Sequence, residues 1–195
     1  PKLARDSSAL KLRVIAETYM TGFKSKKLWL YSFIVGCVTL FNYAYAATAP
    51  LIAHNLFGLH SAAFAYFNII NTVAMFAGSI IVSLVDFNVS LYSIVRTLLL
   101  LMLILLVVLF LLTDMTHNVF VFFVLSALLY FTSAFLLPNA LSLALHAIRC
   151  KASASSTSQF LNMCVALLGV TLVGWVPIGL LGSFCFILIV AYALG

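Results

Sequence analysis

Polar side chains are thinly spread through an otherwise apolar chain, and their spacing decides what chemistry they can do together. Thr132, Phe135, Asn139, Ser142 and His146 recur at intervals of three and four, which sets them along one face of a helix. Asn68 and Asn71 share a helical face with Met75 and Gly78, Ser155, Gln159, Asn162 and Gly169 do the same further on, and Asn42 and Tyr45 stand three apart. Amides, hydroxyls and phenols hold a molecule by hydrogen bonds without carrying charge. The stripes therefore point to binding and positioning, not to group transfer. No carboxylate pair, nucleophile with a base or metal triad occurs inside the apolar stretches, so an enzyme is not expected. Cys37, Cys150, Cys164 and Cys185 form neither a disulfide framework nor a metal-binding spacing, and no metal or cofactor is expected. Each amide or hydroxyl taken singly can also do no more than join two helices, at about 0.6 kcal/mol on average. The aromatics Phe41, Tyr43, Tyr45, Tyr66, Phe67, Tyr130 and Phe131 are in the same way more often packing or interface residues than a ligand cage.

The elements that carry these stripes follow from composition. The chain is 65% hydrophobic and 7% charged, with a mean hydropathy of +1.23, whereas a soluble domain is about one-quarter charged. From Leu28 onward the formal charges are Asp86, Arg96, Asp114, Arg149 and Lys151. They separate apolar runs of about 20 residues or more, the length of a membrane-spanning helix. Six spans are expected, over 28–50, 61–85, 91–112, 119–148, 152–175 and 177 to the end. Strand alternation is absent, and lipid admits only helices or closed barrels. The fold class is thus an all-α membrane protein with six transmembrane helices.

The ten Lys and Arg residues are Lys2, Arg5, Lys11, Arg13, Lys24, Lys26, Lys27, Arg96, Arg149 and Lys151. Seven precede the first span, Arg96 lies near the connection between the second and third, and Arg149 and Lys151 lie between the fourth and fifth. The positive-inside bias then places both ends of the chain in the cytoplasm and His54, His60, Asp114 and His117 outside. The net charge of +6 is a topological signal directed at the lipid bilayer, and nucleic acid is not an expected partner. Residues 1–27 read as a cytoplasmic segment with an amphipathic helix over 10–23, and 28–195 as a six-helix transmembrane half-domain. A basic opening without an initiating Met, and a short last span, lead us to expect an internal piece of a longer protein. No secretory signal peptide is read at its start.

The spans differ in polarity. Polar groups are costly in lipid, so the first, second, fourth and fifth are expected to face protein or a watery cavity, and the third and sixth to face lipid. Asn71 and Gly78 in the second span recur as Asn162 and Gly169 in the fifth. Two units of three helices, the second inverted relative to the first, would follow from such a repeat.

Several segments resemble a known family. Arg13-Val-Ile-Ala-Glu-Thr-Tyr19, Lys26-Lys-Leu-Trp-Leu-Tyr31 and Ala47-Thr-Ala-Pro50 are similar to the entry into the C-terminal half of major facilitator superfamily transporters. Leu137-Pro-Asn-Ala140, Ala144-Leu145 and Ala152-Ser-Ala154 resemble the Bcr/CflA branch of drug-resistance exporters. The likeness covers roughly 13–174. The loop between the second and third spans departs from the superfamily's Gly-x3-Asp-Arg-x-Gly-Arg-Arg type of motif, leaving Gly78, Asp86 and Arg96 in its place. The resemblance implies helices seven to twelve of an inner-membrane secondary transporter that exports hydrophobic or cationic small molecules, with protons as coupling ion. It also implies an N-terminal six-helix half as partner. Asn42, Tyr45, Asn68, Asn71, Thr132, Phe135, Asn139 and Asn162 would then line this half's share of the substrate cavity. Two other readings stay open: a metabolite or siderophore importer or facilitator of the same fold, and a six-helix structural subunit of a membrane complex. The charge pattern makes one direct prediction. Reporter fusions after Asp114 and after Arg149 will read outside and inside respectively, and the reverse pattern would overturn the orientation.

Overall fold

The structure, a computed structural model, describes residues 25–84, 90–147, 151–176 and 179–194. The expected helix at 10–23, Asp86, the cationic turn at Arg149 and Pro177 lie outside the described residues. Six helices follow in order: α1 (Lys26–Phe57), α2 (Ser61–Leu84), α3 (Leu91–Thr116), α4 (Val119–His146), α5 (Lys151–Trp175) and α6 (Leu180–Leu194). No strand occurs among the described residues. Five of the helices are long and apolar enough to cross a membrane, and α6 is a shorter apolar helix of 15 residues. This all-helical architecture is that of a membrane-spanning protein.

Local chemistry sets the helix ends. Ser25 caps α1 by accepting from Leu28 N at 3.4 Å, and Asn118 caps α4 by accepting from Phe120 N at 2.9 Å, each satisfying an N–H that the first turn leaves free. The first span was expected to stop at Pro50, yet α1 runs on to Phe57. Proline removes one backbone hydrogen bond, and the apolar residues beyond it continue the helix. The stop comes at Gly58, where φ of 64° lets its N–H and that of Leu59 close on His54 O and Ala53 O. Between α3 and α4 only His117 and Asn118 intervene, the first left-handed at φ 47° and the second the cap of α4.

Side-chain contacts fix how the helices run. Phe67 packs on Phe120 and Phe123 with ring centroids 5.6 and 5.1 Å apart, and Gly78 lies against Phe131 and Ala134, so α2 and α4 run in the same direction. Gly36 meets Val165 and Gly169 meets Leu40, so α1 and α5 do too. α1 and α4 form the centre. α2 packs along α4, α5 along α1, α3 against α4 and α6, and α6 against α1 and α5. Exchanging α1–α3 with α4–α6 maps this pattern onto itself, except that the α5 to α6 contact has no counterpart between α2 and α3 among the described residues. The exchange reaches single residues. Gly78 meets Phe131 on α4, and Gly169, 91 positions on, meets Leu40 on α1, 91 positions before Phe131.

Burial departs from the expected division of spans. α6 buries Leu181, Ser183, Phe184, Cys185, Leu188 and Tyr192, while α2 buries only Asn71 and Gly78. Hydropathy measures what a helix gains by leaving water, and both lipid and protein supply that gain. It therefore cannot say which apolar helix becomes central.

The two glycines of the repeat differ in what surrounds them. A Cβ on Gly78 would come within 2.9 Å of Phe131 O and of Ala134 Cβ, both rigid, whereas one on Gly169 would meet the end of the Leu40 side chain, which can rotate away. Gly78→Ala is therefore expected to destabilise by about 1–3 kcal/mol, and Gly169→Ala by less. Unfolding of each variant in bilayer mimetics measures the order. Equal losses would show that the α2–α4 contact is not rigid.

Candidate polar site between α1, α2 and α4

Tyr45 is the largest of the fully enclosed side chains, at 2% exposure. It sits on the part of α1 that meets α4. Its ring stands edge-on to Tyr130 at 5.2 Å, stacks on Phe122 at 6.1 Å and meets Phe184 of α6 at 6.3 Å. A phenol O–H placed so deep must find partners inside the protein, and it finds two. Asn71 Nδ2 of α2 donates to the phenol oxygen at 2.7 Å, and the phenol donates to Ser126 Oγ of α4 at 3.4 Å. Ser126 in turn donates to Phe122 O at 2.7 Å. Asn71 also donates to Asn68 Oδ1 at 2.9 Å. One chain of donors thus ties three helices together around a phenol, and it spans both three-helix units.

The network is incomplete on its acceptor side. Asn71 is 2% exposed, yet its Oδ1 receives no hydrogen bond; the Oδ1 atoms of Asn42 and Asn162 are likewise buried without a partner. The Asn71 amide is placed with Nδ2 between the Tyr45 phenol oxygen and Asn68 Oδ1. Asn162 holds Gln159 Oε1 through Nδ2 at 3.4 Å. An open, apolar groove of about 450 Å³ lies between α1 and α5, lined by Tyr43, Ala46, Ala47, Met163, Ala166, Leu167 and Val170. Asn42 and Asn162 each precede a groove alanine by one helical turn, on the same face of their helices.

Of the eight residues singled out from the sequence, the structure joins Tyr45, Asn68 and Asn71, and sets Asn42 and Asn162 one turn from the groove. The α4 members stay apart from these. Thr132 Oγ1 donates to Leu128 O at 2.8 Å and Asn139 Nδ2 to Phe135 O at 2.7 Å, both within their own helix. Phe135 packs its ring on Phe131 at 5.1 Å. Ser126 and Asn139 are thirteen residues apart, which puts the Asn139 stripe about 140° round α4 from the Tyr45 contact. His146 is exposed, with Nδ1 2.7 Å from Ser142 O. The residue missed from sequence is Ser126. Phe122, Ser126 and Tyr130 recur every fourth position, a face that reads as apolar packing because one hydroxyl hides among aromatics.

Among the described residues no group of three or more His, Cys, Asp or Glu side chains could hold a metal ion. No protein-family model matches the chain, and no curated protein matches it.

The network makes a measurable claim. Tyr45→Phe keeps the aromatic packing and removes both phenol bonds. A double-mutant cycle of Tyr45→Phe with Asn71→Leu is expected to give a coupling of about 1 kcal/mol, within the range of interhelical bonds in membranes. Additive effects would show that the 2.7 Å bond contributes nothing.

Proposed function

We propose that this chain is one half of a secondary active transporter, and that it lines a path for hydrophobic or cationic small molecules. The observation that supports the reading most is the packing pattern that survives exchange of the two three-helix units. An inverted pair of repeats is the usual basis of alternating access, with substrate held near the midplane where the units meet. The Tyr45 network crosses that junction. The groove between α1 and α5 adds the composition of a small-molecule site: apolar walls with amide oxygens a turn away. In this reading export is coupled to protons by an acidic group supplied from a partner six-helix half, because the described spans hold no carboxylate away from a helix end. Both ends of the chain are cytoplasmic and the membrane is the inner one.

A six-helix structural subunit is the second reading. It is favoured by Thr132 and Asn139, whose donors bond carbonyls of their own helix.

Transport decides between them. The whole gene product reconstituted in liposomes with an imposed pH gradient is expected to accumulate a lipophilic cation. Asn71→Leu should lower uptake about tenfold or more while insertion stays normal, and this chain alone should carry nothing. Uptake by the isolated chain that an uncoupler abolishes would refute the half-transporter reading, and normal uptake in Asn71→Leu would remove the network from the path.

A further inference from the structure

A second cavity lies about two helical turns along α1 from Tyr45, at the end of the bundle where α1 and α3 finish and α6 begins. It is a half-open pocket of about 260 Å³, lined by Ile52, Asn55 and Leu56 of α1, Phe110 and the exposed Asp114 of α3, and Gly179, Leu180, Leu181 and Gly182. A volume of this size holds several water molecules or a short alkyl chain with a polar head. Five of its side chains are apolar. Asp114 supplies the charge.

That charge stands alone. Asp114 is the one carboxylate side chain among the described residues, and it makes no hydrogen bond or ion pair with any of them. The described Lys and Arg side chains, Lys26, Lys27, Arg96 and Lys151, are at or near the starts of α1, α3 and α5, at the opposite end of the bundle. Nor does the carboxylate cap α6, whose first turn closes on Gly179 through Ser183 N and Ser183 Oγ, both 2.8 Å from Gly179 O. Two helix C-termini, those of α1 and α3, add their negative poles to the same corner, against one N-terminus from α6. The amide oxygen of Asn55 is engaged by His54 Nδ1 at 3.3 Å. A carboxylate beside two carbonyl-rich helix ends, over an apolar floor, is complementary to a cation that donates hydrogen bonds and trails an apolar arm.

We propose that the cavity at Asp114 binds a primary ammonium group with its apolar chain laid between Leu56, Phe110 and Leu180. The site takes such a group from either of two sources, a free alkylamine or the headgroup of phosphatidylethanolamine, since the last turns of α1 and α3 stand at the level where spanning helices leave the hydrocarbon. It does not depend on the transport reading.

The test uses the chain in lipid nanodiscs with labelled butylammonium as probe, followed by equilibrium dialysis, with 1-butanol as the neutral control. In discs of phosphatidylglycerol alone, wild type is expected to bind butylammonium saturably and butanol not at all. Asp114→Asn should weaken binding about tenfold, as for loss of a charge-assisted bond, and Leu56→Trp should block it by filling the cavity while leaving the carboxylate in place. Discs that also contain phosphatidylethanolamine separate the sources. A lipid occupant is retained on the protein in native mass spectrometry, is lost in Asp114→Asn and excludes butylammonium; a free amine binds equally in both kinds of disc with no lipid retained. Wild type that binds butylammonium no better than Asp114→Asn, and retains no phosphatidylethanolamine over that variant, would overturn the proposal.

Discussion

Apolar side chains gain nothing by leaving lipid for one another, so a bundle of apolar helices needs some other reason to hold one arrangement. Here the reason is close backbone approach. Gly36, Gly78 and Gly169 each leave the space that a neighbouring helix fills, and dispersion over the long contacts that result does what the hydrophobic effect does in water. Everything else in the packing follows from which pairs of helices can come so near. α1 and α4 each receive an outer helix of the other unit, and their own aromatics, Phe41, Tyr45, Phe122 and Tyr130, meet in the space between.

Close packing also explains the Tyr45 network. Once α2 is drawn onto α4, Asn71 is enclosed with it, and an enclosed amide must be satisfied or costs stability. The phenol of Tyr45 satisfies one end of that amide and Ser126 satisfies the phenol. What is left over is Asn71 Oδ1, buried without a hydrogen bond. The same logic leaves Asn42 and Asn162 with unpaired oxygens one turn from the α1–α5 groove. Three asparagines thus carry amide oxygens that the packing of the chain leaves unpaired.

How much of this was legible in the sequence depended on the range of the signal. Helix number and type were, because apolar runs bounded by turn residues state them locally; the overrun of α1 past Pro50 was not, because the stop is set by Gly58. The pairing of Asn71 and Gly78 with Asn162 and Gly169 was visible as spacing, and its meaning required knowing that Gly78 meets Phe131 and Gly169 meets Leu40. Tyr45, Asn68 and Asn71 were recognisable as polar residues in costly surroundings. Which face of α4 they would join was not, since Thr132 and Asn139 make an equally regular stripe and settle for their own backbone. Sequence shows that a side chain needs a partner; only packing shows whether the partner is a neighbouring helix or a carbonyl four residues back. Asp114 reads in the sequence as a loop residue, a lone acid at a span end, until the ends of α1 and α3 and the start of α6 are seen to form a pocket beside it.

The turn between α3 and α4 bears on how the two units are joined. His117 ends one helix and Asn118 begins the next with nothing between them, so the connection has no slack. Two helices joined so tightly form an antiparallel helical hairpin, α4 starting back from where α3 ends. That hairpin joins the last helix of one repeat to the first helix of the other. The seam of the architecture is therefore a tight joint: two residues separate the units, fewer than the three that separate α1 from α2 within one unit.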